Sequence, residues 1–137
     1  RSMKTSTPVI ISSLIIFLLF AIYGQSQEVT SKSDDQNLVV LVKYKTLPSK
    51  NTEAISGLTK LIEAVKQEPN FVSITMLTDK NDPSVIMLYE EWSNETYYHG
   101  DHMKTPHLQD FMISSRAYMA GPPEISGWKT EKKFTAE

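Results

Sequence analysis

The sequence predicts an α+β domain of ferredoxin-like order, β-α-β-β-α-β, and three observations predict it. Short runs rich in Val, Ile and Leu ("LVVLVKYK", "FVSITMLT" and "VIMLYEEW") read as strands. Between the first two, apolar residues recur at spacings of three and four, which is the period of an amphipathic helix. After the third come helix-start signals, a second apolar helical face and a final run of strand character, completing the order. Helices cover one face of such a four-stranded sheet. The other face would stay apolar in water, so a homodimer packed sheet to sheet is the economical arrangement.

The 137-residue chain opens with segments outside this pattern. Val9 to Ile22, "VIISSLIIFLLFAI", is apolar apart from two serines; Lys4 precedes it and "YGQSQ" follows. A positive start, a short apolar stretch and small residues near a cut site make a secretory signal peptide, expected over residues 1–26 with cleavage after Ser26. The run is shorter than the roughly 20 residues a membrane span needs; the protein meets a membrane only if this segment stays uncleaved. Met3 reads as the true start and Arg1-Ser2 as an N-terminal scar. Residues 27–37, "QEVTSKSDDQN", are polar and aperiodic and read as a flexible linker. The folded domain is expected over 38–134, and the mature protein in the periplasm or secreted.

Within the domain, Leu38–Lys45 is the first strand, ended by Pro48. Ile55, Leu58, Leu61, Ile62 and Val65 mark the first helix, with Ser49 or Asn51 as its cap and "EPN" (68–70) as its stop. Phe71–Thr78 and Val85–Trp92 are joined by the turn sequence "DKNDPS", which suggests a hairpin. Ser93 or Asn94 caps a short helix. Thr105, followed by Pro106 at the first helical position, opens another, with Leu108, Phe111 and Met112 on one face. "AGPPE" breaks it, and 125–134, "ISGWKTEKKF", reads as the last strand.

Composition excludes several functions. Past residue 26 there are 12 basic against 16 acidic residues, a formal charge of −4, with no basic cluster, which argues against nucleic acid as a partner. Cysteine is absent, which removes disulfides, thiol catalysis and Cys-ligated metals. No Gly-rich phosphate loop and no Ser-His-Asp arrangement on a nucleophile elbow is present.

The residues that could carry chemistry are few. Alternation along the third strand places Glu90 and Trp92 on one face with Ile86 and Leu88, and Tyr89 and Glu91 on the other with Val85 and Met87. Both faces are otherwise apolar, so at least one glutamate is drawn into a semi-buried place, where a carboxyl acquires a raised pKa or a partner. It would serve as a base or anchor, or as a structural acceptor for the following helix. His99 and His102 stand three apart with Asp101 between them, but Gly100 and Asp101 favour a turn and no further ligand is in view, so no metal is expected. His107 sits in a first helical turn, where the helix dipole favours a neutral imidazole. Such a ring can accept a proton or polarise an oxygen; it can equally be an ordinary surface residue. Soft and aromatic side chains abound and suit either a core or a pocket for a flat ligand. Tyr44, Tyr89, Tyr98 and Met112 are the substrate-contact candidates.

The strand ending "EEW", a short helix and then "HMKTPHLQDF" together resemble the antibiotic biosynthesis monooxygenase family, in its quinol-monooxygenase-like branch. That branch shows E-x-W and, further on, H-x-x-T-P-H before an apolar helix. Here the matching positions are Glu90, Trp92, His102, Thr105, Pro106 and His107. The resemblance implies a dimeric α+β barrel with a pocket between sheet and helices in each protomer. It also implies oxidation of a quinol or polycyclic phenol by O₂ without metal, flavin or haem. His102 and His107 would then be base and hydrogen-bond donor, Trp92 a pocket wall, and Glu90 the group that orients a histidine. A haem-degrading branch of the same fold carries a proximal His where this chain has Met112 and Ile113, which argues against haem. The export signal departs from cytoplasmic quinol chemistry and points to an extracytoplasmic substrate or a protective role. The alternative is a non-catalytic dimeric ligand-binding or stress-related protein of the same fold.

Overall fold

The computed structural model describes residues 36–137; the expected signal peptide and most of the expected linker lie outside them. Four strands, β1 (Leu38–Lys45), β2 (Phe71–Thr78), β3 (Val85–Trp92) and β4 (Glu124–Lys129), form one sheet in the order β2-β3-β1-β4. Every pairing is antiparallel. Three helices complete the ferredoxin-like order: α1 (Asn51–Val65), the short α2 (Glu95–His99) and α3 (Pro106–Ser114). A 3₁₀ turn, His102–Lys104, separates the last two.

The core lies between the sheet and α1. The apolar stripe of α1 buries Ala54, Leu58, Leu61 and Val65 against Val40, Val42 and Tyr44 of β1 and Ile86 and Leu88 of β3. Tyr118 crosses the same helix so closely that a Cβ on Gly57 would stand 2.1 Å from its hydroxyl oxygen. The helix start differs from expectation. The cap position falls on Lys50 and makes no side-chain cap bond, while Ser49 takes a left-handed backbone (φ 62°) and the Asn51 amide donates instead to the Pro83 carbonyl. The first turn is held by Lys50 Nζ on Glu53, 2.8 Å away.

The β2–β3 turn follows its sequence: Asp79 Oδ1 accepts from the backbone N–H groups of Asn81 and Asp82. Lys45, 2.6 Å from the Asp82 carboxylate, and bonds from Ser84 hold that carboxyl down to about 2. Asn94 caps α2, its side chain accepting from Tyr97 N–H at 2.8 Å. Thr105 holds the cap position of α3 in extended backbone, but its hydroxyl donates to the His102 carbonyl at 2.9 Å and makes no bond to the helix. The last strand stops at Lys129, short of the expected Phe134, because Lys129 pairs with Leu38, where β1 itself begins. Past that register the strand has no partner.

The face of the sheet turned away from the helices carries Leu41, Met87, Tyr89 and, half exposed, Leu77 and Trp128. Among the described residues no helix covers it.

Candidate functional site

A cavity of about 650 Å³ opens between the helix-facing side of the sheet and α1 and α3. Its walls are largely apolar: Val42, Leu88, Leu61, Val65, Phe111 and Met119 among others. The polar groups on them are few. Tyr44, Glu90, Tyr98 and His102 all contribute, with Ser115 and Arg116 from the chain after α3.

Alternation puts the two glutamates of "YEEW" on opposite faces, and the helices pack on the face of Glu90. The helix-facing positions of β3 are Ile86, Leu88, Glu90 and Trp92, all buried. Glu90 lines the cavity, and its Oε2 accepts from Trp92 Nε1 at 2.9 Å. Burial pushes the Glu90 carboxyl up to about 7; the Trp92 bond opposes this and the nearby Glu68 charge adds to it. Burial, and then the Glu90 charge, also raise the hydroxyls of Tyr44 and Tyr98 well above the usual phenol range. Among the described residues neither hydroxyl has a hydrogen-bond partner.

His102 enters from the 3₁₀ turn after α2. Its ring packs in an aromatic cluster with Trp92 (centroids 4.5 Å apart, tilted) and Tyr98 (5.1 Å, near-parallel), which also meet each other at 5.5 Å. Trp92 is fully buried and also meets Phe71 edge-on. It therefore backs His102 and is not itself a wall of the cavity, as the resemblance had implied.

The two histidines meet on a residue the sequence did not single out. His102 Nδ1 lies 2.8 Å from Glu68 Oε2, and His107 Nε2 is hydrogen-bonded to Glu68 Oε1. Tyr97 donates its hydroxyl to the same Oε2 at 3.0 Å. Hydrogen bonding to Glu68 contributes to raising Tyr97, after burial. The Glu68 side chain is 4% exposed, and that of His107 is 28%. Glu68 sits in the turn between α1 and β2, where Pro69 follows it and Asn70 takes a left-handed backbone (φ 66°). The Asn70 carbonyl accepts from Ser93 N–H, which ties that turn to the end of β3 and brings Glu68 beneath the histidines.

The expected orienting glutamate is thus corrected: Glu68 holds the histidines, while Glu90 bonds the indole. His102, Glu90, Tyr44, Tyr98 and Met112 line the cavity; His107 stands behind, bonded to Glu68. Tyr89, expected at the substrate, lies on the opposite face of the sheet, its hydroxyl donating to Glu91 at 3.3 Å, because strand alternation turns it away from the helices. "EPN" has a sufficient reading as a helix stop, so nothing in the sequence marked Glu68; only the contact across the fold does. No group of three or more His, Cys, Asp or Glu among the described residues is placed to hold a metal ion.

A ferredoxin-like sheet with an apolar cavity beneath its helices and one imidazole on the wall defines a small α+β domain built around a ligand-sized space. Residues 37–113 match the antibiotic biosynthesis monooxygenase family, and the chain belongs to it. Solved structures share the fold. A putative antibiotic biosynthesis monooxygenase from Nitrosomonas europaea is 18% identical, with a TM-score of 0.65 over 71% of this chain and 92% of that one. A conserved protein from Methanosarcina mazei Go1 is also 18% identical, with a TM-score of 0.64 over 72% and 96%. A putative antibiotic biosynthesis monooxygenase from Chloroflexus aurantiacus is 20% identical, with a TM-score of 0.59 over 72% and 97%. No curated protein matches the chain.

Proposed function

We propose that the protein is a cofactor-independent monooxygenase that oxidises an electron-rich phenol or quinol with O₂. The observation that carries this reading is the cavity: about 650 Å³, mostly apolar, with the His102 ring on its wall beside Glu90 and two phenolic hydroxyls. A flat aromatic ring fits apolar walls, and a hydroxyl on it finds an imidazole to take its proton. The resulting phenolate is the electron source and O₂ the acceptor. In the net reaction one oxygen atom enters the ring and the other leaves as water, with a ring hydrogen and the phenolic hydrogen; a phenol becomes a quinone and no external reductant is needed. The Glu90 carboxyl, in its protonated form, and the hydroxyls of Tyr44 and Tyr98 are donors available to the developing anion.

We further propose a homodimer packed through the open sheet face that carries Leu77 and Trp128, and export directed by the apolar run Val9–Ile22. The test of the enzyme is O₂ consumption by the purified full chain with a panel of naphthols and hydroquinones, without added metal or flavin. Turnover lost in His102→Ala supports the reading. If no member of the panel is oxidised but aromatic ligands raise the melting temperature, the protein is instead a binding module of the same fold.

A further inference from the structure

The geometry points to Glu68 as the residue that fixes the tautomers of both histidines and so sets which nitrogen of His102 is the base. Three groups converge on its carboxylate. Tyr97 Oη and His102 Nδ1 reach Oε2 at 3.0 and 2.8 Å, and His107 Nε2 reaches Oε1. An ionised carboxylate has only lone pairs to offer, so every group that bonds it must donate. The Tyr97 hydroxyl has one hydrogen and spends it there. His102 then carries its hydrogen on Nδ1, and His107 carries its own on Nε2. In a neutral imidazole the other nitrogen is bare, so the lone pair of His102 is on Nε2 and that of His107 on Nδ1.

This divides the labour between two otherwise similar rings. His102 lines the cavity, so its bare Nε2 is the proton acceptor available there. His107 does not line the cavity; it completes the set of donors around Glu68 and keeps that carboxylate from rotating away. When His102 takes a proton, the imidazolium is 2.8 Å from a carboxylate whose side chain is 4% exposed. The new charge is thus balanced without solvent. Trp92 and Tyr98, packed against the ring and against each other, oppose the ring flip that would put Cδ2 in place of Nδ1 at Glu68. Glu68 is a positioning residue: it acts through His102 and does not line the cavity.

The part of this inference that concerns turnover rests on the proposed reaction; the part that concerns tautomers does not, and the experiment separates them. The full chain, ¹⁵N-labelled at histidine, is examined by two-bond ¹⁵N–¹H correlation at a pH where all three imidazoles are neutral. His99, exposed at the end of α2, serves as the reference ring. The expected spectrum has His102 protonated at Nδ1 and bare at Nε2, and His107 the reverse. His102 bearing its hydrogen on Nε2 overturns the inference. In Glu68→Gln the amide offers one acceptor and one donor, so one of the two rings must switch tautomer; both rings unchanged would also overturn it. Should that variant fail to fold, the wild-type spectrum decides alone. In turnover, Glu68→Gln is expected to lower kcat about a hundredfold or more with little change in KM, and Glu68→Asp to recover part of the loss. Tautomers as expected in a protein that oxidises none of the phenols would sink the proposed function and leave the positioning of His102 intact.

Discussion

The indole of Trp92 donates to the carboxyl of Glu90, two residues back along the same strand and on the same face, at 2.9 Å. Both side chains are buried, so this bond supplies a polar partner to a carboxyl largely withdrawn from solvent. Four consequences of this arrangement and its neighbours can be measured.

Glu90 makes stability depend on pH. Its carboxyl lies at about 7 in the folded protein, against an ordinary 4.5. The folded state therefore keeps a proton that the unfolded chain sheds, and stability falls as pH rises between those values. The stabilisation is complete below the unfolded value and lost as pH passes through the folded one, a loss on the order of 3 kcal/mol. Glu90→Gln keeps an acceptor for the indole and cannot ionise. Urea denaturation at pH 5 and pH 8 should show wild type losing stability relative to this variant; equal slopes for the two proteins would contradict the raised carboxyl.

Removing the indole should be costly in two separable ways. Trp92→Phe keeps most of the packing against Phe71 and His102 but leaves Glu90 without its donor, at about 1–3 kcal/mol. Trp92→Ala also opens a void beneath His102 and should cost about 3–5 kcal/mol. Chemical denaturation of both variants checks the order. Trp92→Phe as damaging as Trp92→Ala would mean that the hydrogen bond outweighs the packing.

Gly57 is required by close approach. An added Cβ would stand 2.1 Å from the Tyr118 hydroxyl oxygen and 2.6 Å from its ring carbon, so Tyr118 must move. Gly57→Ala is expected to destabilise by about 1–3 kcal/mol, although alanine favours helix, and the loss should shrink in the double variant with Tyr118→Ala. Thermal melts of the three variants give the answer; a more stable Gly57→Ala would refute the contact.

On the proposed dimer, Trp128→Asp places a charge on the open sheet face, where Trp128 is half exposed. It should convert a dimer into a monomer in light scattering while leaving far-ultraviolet circular dichroism unchanged. A wild type that scatters as a monomer at micromolar concentration would reject the interface itself.

The chain's strands were legible because each is short, β-rich and bounded by turn residues, and β1, β2 and β3 fall on the boundaries their sequences mark. The first helix was equally plain from its apolar spacing, although its cap was not. A cap is decided by one backbone angle at Ser49 and by the competing carbonyl of Pro83, neither of which has a sequence pattern. The inward glutamate was narrowed to Glu90 or Glu91 by alternation alone; which face meets the helices is set by the whole sheet.

What the sequence determined by itself was local and periodic: three strands to the residue, the helical stripe of α1, a cap for α2 at Ser93 or Asn94, and the placing of His102 and His107 on separate helical segments. What only the tertiary structure decided was who meets whom. Glu68 lies 34 residues from His102 and 39 from His107 in the chain, and no periodicity reaches that far. Folding brings the α1–β2 turn beneath the 3₁₀ turn and the start of α3, and a buried carboxylate there must find donors. The two histidines supply them, and that requirement, invisible in "HMKTPH", is what joins them into one site.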